Sequence, residues 1–505
     1  MNLLKGILSS FKTYPDRTAF KIRKTTYSYK DLEKRVACIL SALEDISPEE
    51  EIIGVWAADD IDTYSSILAI LFSGRGFMPV NPQNPKDKNI RIVSHSGIKT
   101  LLAPLPKEKT IELTSTNHLK ILSTRDISES DLVISVPPPS PETIAYLLFT
   151  SGSTGIPKGV PITRGNLDAF INAFLKIGYS INEQDRCLQM FDLTFDFSIA
   201  TYFTPLYKGA SVYTVPHKGI RYNHVLNLLL EEKLTVAPMV PSILNHLRSF
   251  FSELKLDDLK YCYFCGEALH ENVLKDFAEC APHARFVNFY GPTEATVFSL
   301  AYEWVPGSTA NKSFNGIVCI GRPMEHLHAI IIDEHNQILP VNQRGELCLT
   351  GAQVTPGYWQ DEERNKSAFL PAWFDCREVL FYHTGDEAFI DNDGDFMFTG
   401  RLDNQVKIQG FRVELSEIEY FTREFTGISN VAAVAFESKI DNLRIHLFVE
   451  NYPDHTDNIK NYLKSKLPHY MIPSGITSLD KLPLNQNGKI DRVKLAQLTQ
   501  IGDNS

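Results

Sequence analysis

The sequence predicts an α/β protein with largely parallel sheets, then an antiparallel barrel-like section and a small mixed α+β terminal unit. Three observations predict this. Helix-like and strand-like segments alternate from the start to about residue 300, the pattern of βαβ units. From 310 to 400 the apolar runs shorten and turn pairs such as Asp393-Gly394 intervene, which marks hairpins. After Arg401 the chain turns more polar, then returns to a mixed pattern. A boundary there leaves a terminal unit of about 100 residues, a usual size for a small domain.

The segment Met1 to Tyr14 is mildly amphipathic and predicts a first helix. It lacks the basic start, long apolar core and small-residue cleavage site of a signal peptide. Asp31 to Leu43 has helical spacing, and Glu51 to Trp56 is a short apolar strand. Pro79, Pro82 and Pro85 punctuate a loop. The proline-rich stretch Pro137 to Pro141 precedes an apolar strand from Ile144 to Phe149. Cys262 and Cys265 form a C-x-x-C in a strand-like run. Strand residues three apart face opposite sides, so the pair does not suit a metal or redox role.

The chain has 505 residues, 43% hydrophobic and 22% charged, an ordinary globular composition. That length predicts several compact units. A formal net charge of -11 argues against a nucleic-acid or anionic-membrane partner. No stretch approaches the ~18 apolar residues of a membrane span. Eight cysteines scattered over so long a chain predict reduced thiols and a cytoplasmic protein.

The run Thr150-Ser151-Gly152-Ser153-Thr154-Gly155-Ile156-Pro157-Lys158-Gly159 follows the apolar strand. Hydroxyls and backbone N–H groups of such a loop can surround phosphate oxygens, with Lys158 as a point charge. The spacing is not that of a Walker A loop. By composition alone a flexible Ser/Gly surface turn fits equally well.

This loop is similar to the ATP loop of the adenylate-forming superfamily, which includes nonribosomal-peptide adenylation domains, acyl-CoA synthetases and luciferases. The resemblance runs along nearly the whole chain in the superfamily's order. It takes in Thr26-Tyr27-Ser28-Tyr29 with Leu32, and Phe72-Ser73-Gly74 through Pro82. Asn288-Phe289-Tyr290-Gly291-Pro292-Thr293-Glu294 follows, then Gly345-Glu346-Leu347 to Gly357-Tyr358-Trp359 and Tyr382-His383-Thr384-Gly385-Asp386. Gly400-Arg401-Leu402-Asp403 through Lys407 to Glu414, Leu467 to Pro473, and Asn487-Gly488-Lys489 complete it. Any one motif is weak; eight in order are not a coincidence.

The resemblance implies a large N-terminal domain, residues 1–401, of two α/β subdomains and a β-barrel subdomain. A small mobile α+β lid, residues 402–505, follows. It implies ATP and Mg²⁺. Tyr290 would stack on adenine, with Asn288 and Phe289 at its edge. Thr293 would reach a phosphate oxygen, and Glu294 would ligate Mg²⁺, which prefers oxygen donors. Asp386 would accept hydrogen bonds from both ribose hydroxyls, and Arg401 would contact ribose or phosphate. Asp403 matches the hinge and Gly410 the pantetheine tunnel. Lys489 matches the catalytic lysine that bridges the substrate carboxylate and the α-phosphate. No general base is required, because a carboxylate is ionised at neutral pH.

Asp196, in Phe195-Asp196-Phe197-Ser198, matches the aspartate that amino-acid-activating members pair with the substrate ammonium. By the same matching, Phe197, Ala200, Pro238, Tyr263, Cys265, Phe289, Val297 and Phe298 line the side-chain pocket. Phe289 and Phe298 can fill that pocket and select a small side chain, or Ala200 can open a deeper slot. In length and in Phe264-Cys265-Gly266-Glu267 the chain looks nearest to stand-alone D-alanine–carrier protein ligases. The expected reaction is amino-acid adenylation with pyrophosphate release, then transfer to the phosphopantetheine thiol of a separate carrier protein, or to CoA. The competing readings are an acyl-CoA or aryl-CoA synthetase and a catalytically silent ATP-binding protein.

Overall fold

A computed structural model of the chain describes residues 2–105, 119–138, 140–152, 157–216, 220–374, 377–403, 405–437, 443–453, 455–484 and 490–502. The chain divides into two compact units. One comprises Met1–Pro82, Ser96–Leu148 and Gly159–Leu402; the other comprises Gln83–His95, Phe149–Lys158 and Asp403–Ser505. The run Phe149–Lys158 is therefore grouped with the terminal segment, a grouping that no contiguous reading of the sequence anticipates. No helix among the described residues is long and apolar enough to cross a membrane.

The first unit holds two α/β sheets and an antiparallel section. In the nine-stranded sheet the centre is parallel, running Arg285–Tyr290, Tyr261–Phe264, Val236–Met239, Arg186–Gln189, Ser211–Thr214 and Thr18–Ile22. Both edges depart from the expected parallel pattern: Thr25–Ser28 pairs antiparallel with Thr18–Ile22, and Leu300–Trp304 pairs antiparallel with Arg285–Tyr290. The turn joining each pair is too short for the crossover that a parallel neighbour requires. The second sheet runs Lys120–Ser123, Thr100–Ala103, Ile52–Trp56, Gly76–Val80, Ile144–Thr150 and Lys158–Thr163. Ala145 through Leu148 are consecutively buried, as expected of a strand covered on both faces.

Helices cover these sheets with defined starts. Ser28 and Asp31 form a capping box on Tyr29–Ala42, and Thr163 and Asn166 do the same for Arg164–Lys176. Each satisfies backbone N–H groups that helix termini leave without partners. Cys262 and Cys265 lie in two different buried clusters, on opposite sides of the sheet as strand alternation requires.

The antiparallel section runs Leu327–Ile332, Gly345–Gly351, Arg377–Ile390 and Phe369–Phe374, with Phe396–Arg401 also paired to Arg377–Ile390. The hairpin into Phe396–Arg401 turns at Asp391–Asp395, where Gly394 takes a φ of +88°. Its three aspartates, Asp391, Asp393 and Asp395, bind the Lys312 ammonium at 2.7, 2.8 and 2.6 Å.

In the second unit, Val431–Glu437, Leu443–Glu450 and Gly475–Leu479 form a three-stranded sheet. Helices Leu415–Thr426 and Thr456–Lys466 accompany it. The hairpin Gln405–Ile408/Phe411–Glu414 precedes these elements. Its turn residues Gln409 and Gly410 both have positive φ, +52° and +82°. Such a two-residue turn matches the twist of the flanking strands and favours glycine. Tight turn geometry thus accounts for Gly410 before any ligand is considered.

Candidate active site

Strand Arg285–Tyr290 presents its residues to alternate faces. Tyr290 packs with Ala295, Leu300 and Ile320, whereas Phe289 joins the aromatic cluster on the other side. Asn288 donates through Nδ2 to the carbonyls of Val318 at 3.2 Å and Cys319 at 3.0 Å, which anchors the strand. At Gly291 a Cβ would stand 2.3 Å from the Val297 carbonyl and 2.9 Å from Phe298 Cα. Glycine alone lets the following loop fold back so closely.

That loop carries Thr293 and Glu294 on a short helical turn, Thr293–Ala295. Thr293 is half-buried and Glu294 fully buried. Glu294 Oε1 accepts from the Tyr358 hydroxyl at 2.8 Å. Thr296 and Val297 then take φ values of +56° and +70°. This is unfavourable for β-branched residues, at a cost of order 1–3 kcal/mol each. Gln353, fully buried, holds the strained turn. Its carbonyl accepts from Thr296 Oγ1 at 2.5 Å, and its Nε2 donates to the Phe298 carbonyl at 2.7 Å. The sequence offers no signal for Gln353, a lone amide in an irregular segment.

Asp386 is the centre of a polar group on the same unit. The Tyr290 hydroxyl donates to Oδ2 at 2.5 Å, and Arg401 Nη1 donates to Oδ1 at 2.7 Å and to the Thr384 carbonyl at 3.1 Å. The Asp386 N–H donates to Thr384 Oγ1 at 3.0 Å, and that hydroxyl donates to the Leu347 carbonyl at 2.6 Å. Burial, then the neighbouring Asp386 charge, pushes the Tyr290 phenol well up, so it remains a donor. A carboxylate accepts about four hydrogen bonds, which leaves Asp386 capacity for two hydroxyls.

The residues matched to the acid pocket gather on the first unit. Asp196 occupies the N-cap position of helix Phe197–Lys208, yet its side chain makes no capping bond. A helix-capping role therefore does not account for it. Phe197, Ala200, Tyr263, Cys265, Phe289, Val297 and Phe298 share one buried cluster. Pro238 pairs in register with Tyr263 on the neighbouring strand. Tyr146, which sequence reasoning did not single out, is fully buried, and its hydroxyl has no hydrogen-bond partner among the described residues. Burial, then the Asp196 charge, raises its phenol, so it too stays protonated. The apolar strand Ile144–Thr150 hides Tyr146 from pattern reading, because it looks like one more core aromatic.

In the second unit the ends of the phosphate loop are engaged. Ser151 Oγ donates to the Arg412 carbonyl at 2.9 Å, and the Gly152 N–H donates to the buried Glu417 carboxylate. Thr150 Oγ1 is buried without a hydrogen-bond partner among the described residues. Lys158 Nζ pairs with Glu414 Oε1 at 2.9 Å. Asp403 Oδ1 accepts from the Gln405 N–H at 2.9 Å, a local turn bond. Ser153, Thr154, Gly155 and Lys489 lie outside the described residues.

Of the possible metal donors, Glu294 offers the oxygen type that Mg²⁺ takes. Its Tyr358 contact is the kind of outer partner that orients a ligating carboxylate. Glu346, Cys348 and His383 also bring one donor atom each within 4.8 Å of one another. A thiol and an imidazole do not suit Mg²⁺, and the Glu346–His383 hydrogen bond at 3.0 Å accounts for that pair.

Comparison with known proteins joins these observations. Bacitracin synthase 3 of Bacillus licheniformis is 31% identical over 488 residues, covering 96% of this chain and 7% of that protein. Zwittermicin A synthase ZmaJ of Bacillus cereus is 30% identical over 500 residues, covering 96% of this chain and 92% of that protein. The chain spans well under two thirds of the large synthases it matches, 7% of bacitracin synthase 3 and 44% of tyrocidine synthase 1. Among solved structures, the Vibrio cholerae adenylation domain AlmE, in complex with glycyl-adenosine-5'-phosphate, superposes with a TM-score of 0.86. It has 25% identity and the match covers 99% of this chain and 97% of AlmE. The family model described as AMP-binding enzyme matches residues 9–359. The family model and the ordered motifs together show that the chain belongs to the AMP-binding enzyme family, within the adenylate-forming superfamily.

Proposed function

We propose that this chain activates an amino acid with ATP as the aminoacyl-AMP and then passes it to the phosphopantetheine thiol of a carrier protein. The observation that carries the amino-acid reading is Asp196, an aspartate at a helix start that does not cap its helix and whose charge acts on the buried Tyr146 hydroxyl. A carboxylate so placed suits a substrate ammonium. The glycyl-adenylate bound to AlmE and the synthases among the relatives support the same reading.

In the first half-reaction a substrate carboxylate oxygen attacks the α-phosphorus of ATP. The bond to the bridging oxygen of pyrophosphate breaks, and pyrophosphate leaves. Asp386 holds the ribose, Tyr290 the adenine, and Thr150 to Lys158 with Thr293 the phosphates. Arg401 and Lys489 stabilise charge at the reacting phosphoryl group, where positioning and electrostatics supply the catalysis. Mg²⁺, held by Glu294 together with phosphate oxygens, would neutralise further charge there. In the second half-reaction a thiolate attacks the acyl carbon. The C–S bond forms, the C–O bond to phosphate breaks, and AMP leaves. Asp403 serves as the hinge between the two steps, and Gly410 lies on the thiol's path.

The test is substrate-dependent pyrophosphate release with ATP and Mg²⁺ across amino acids of both hands, fatty acids and aryl acids. Release with amino acids, followed by loading of a phosphopantetheinylated carrier, is expected. Release only with fatty or aryl acids, and AMP formation only with CoA, would assign an acyl-CoA synthetase instead.

A further inference from the structure

We propose that the acid activated here is glycine or an α-amino acid whose side chain is no larger than a methyl group, an inference that rests on Asp196 as the ammonium partner. The argument is spatial. Asp196 is followed directly by Phe197, and Phe197 meets the edge of Phe298 with ring centroids 5.1 Å apart and planes at 80°. Phe298 stacks on Phe289 at 4.3 Å and 11°, and Phe170 closes on it from behind at 5.8 Å. On its other side Phe197 stacks on Phe191 at 3.9 Å. A substrate held through its ammonium at Asp196 therefore meets an aromatic wall within one residue of its anchor.

The same packing decides between the small pocket and the deep slot. Ala200, one helical turn beyond Phe197, is fully buried within the same cluster as Phe298. With no exposed surface, its side chain borders no open slot. Phe298, also fully buried, is not poised to swing aside. The strained turn at Thr296 and Val297 carries it, and Gln353 Nε2 holds its carbonyl at 2.7 Å. Displacing the ring would disrupt a buried network and a close-packed cluster together. The wall is thus a fixed part of the protein and acts by excluding volume. Phe298 is its specificity-determining residue.

Pyrophosphate release by the wild-type protein with glycine, both alanine enantiomers, valine, leucine and phenylalanine tests this. A single methylene at a packed wall is worth roughly 10- to 200-fold. The kcat/KM for glycine or an alanine is therefore expected to exceed that for leucine and phenylalanine by at least about 100-fold. Phe298→Ala is expected to raise kcat/KM for leucine or phenylalanine at least about tenfold and to lower it for glycine. Phe298→Leu, the gentler change, should shift preference the same way toward valine. Unchanged selectivity in a folded Phe298→Leu protein would overturn the role of that ring. A wild-type preference for leucine or phenylalanine would overturn the size limit while leaving amino-acid activation intact. Release with fatty or aryl acids alone, or with no acid, would overturn the amino-acid reading itself and this inference with it.

Discussion

Lys158 Nζ lies 2.9 Å from Glu414 Oε1, and each side chain is only 9% exposed. Glu414 also accepts from Gln405 Nε2, and Gln405 Oε1 accepts from Arg412 Nε at 2.8 Å. The lysine that the sequence assigns to ATP phosphates is thus neutralised by a carboxylate more than 250 residues away in the chain. Removing one partner of a buried pair leaves an uncompensated charge, at a cost of about 3–5 kcal/mol. Lys158→Met and Glu414→Gln should therefore each destabilise the protein. The double variant should lose less than the sum, by about 1 kcal/mol or more. Urea unfolding of the four proteins measures this; strict additivity would show that the two charges do not depend on each other.

The Tyr290 hydroxyl separates two roles that one residue can play. Its ring is the expected adenine platform, while its hydroxyl donates to Asp386. Tyr290→Phe keeps the ring and removes a hydrogen bond to a charged group, worth about 1.5–3 kcal/mol. If that bond orients Asp386 for the ribose, KM for ATP should rise roughly tenfold or more, with kcat little changed. An unaltered KM for ATP, alongside a large effect of Tyr290→Ala, would assign the contribution to the ring alone.

Much of this architecture is legible from residues in isolation, and the limits have physical causes. Alternating apolar segments report strands and helices, because periodicity is a local property. Ordered motifs point to Asp386, Arg401, Tyr290 and Glu294 individually. Neither signal reports partners across the fold. The Tyr290–Asp386 contact spans 96 positions, and the Gln353 clamp connects two irregular segments with no period at all. The antiparallel edge at Leu300–Trp304 escapes the pattern as well, since a strand's direction depends on the length of its connection and not on its apolar run. The pocket's size was open in the sequence because Ala200 and Phe298 argue in opposite directions until ring packing is known.

Acid should weaken the section that carries Asp386. Burial tends to raise the Glu346 carboxyl, but the His383 hydrogen bond at 3.0 Å and the Gly385 N–H at 2.8 Å outweigh it and hold it below the usual range. A carboxylate depressed in the folded state contributes stability that is complete above its unfolded pKa of about 4.3 and is lost as pH falls through the lower folded value. Unfolding midpoints between about pH 3 and pH 7 should therefore fall more steeply on the acid side in the wild type than in Glu346→Gln. Parallel curves would mean that Glu346 carries no linked proton.

Lys489 is the residue on which the two half-reactions should part. By the motif it matches, it would bridge the carboxylate and the α-phosphate while charge builds in the first step. Lys489→Ala should reduce pyrophosphate release by about 100-fold or more, in line with loss of a donor aimed at developing charge. Transfer from supplied acyl-AMP to the thiol should be nearly unaffected. Equal losses in both steps would remove the assignment.

In the proposed function Asp196 carries the choice of substrate class, so its replacement is the most informative single change. A helix-capping aspartate replaced by asparagine retains most of its role, because both side chains cap well. Asp196 makes no such bond, and asparagine keeps its size and one acceptor oxygen, so Asp196→Asn should change thermal stability little while removing the charge proposed to face the ammonium. A buried cation left without its partner costs several kcal/mol. KM for the amino acid should accordingly rise by about 100-fold or more, with KM for ATP nearly constant. A variant that melts early yet keeps its amino-acid KM would return Asp196 to a structural role. One that is stable and equally selective would move the ammonium site elsewhere, and Tyr146, whose buried hydroxyl feels the Asp196 charge, would be the next residue to replace.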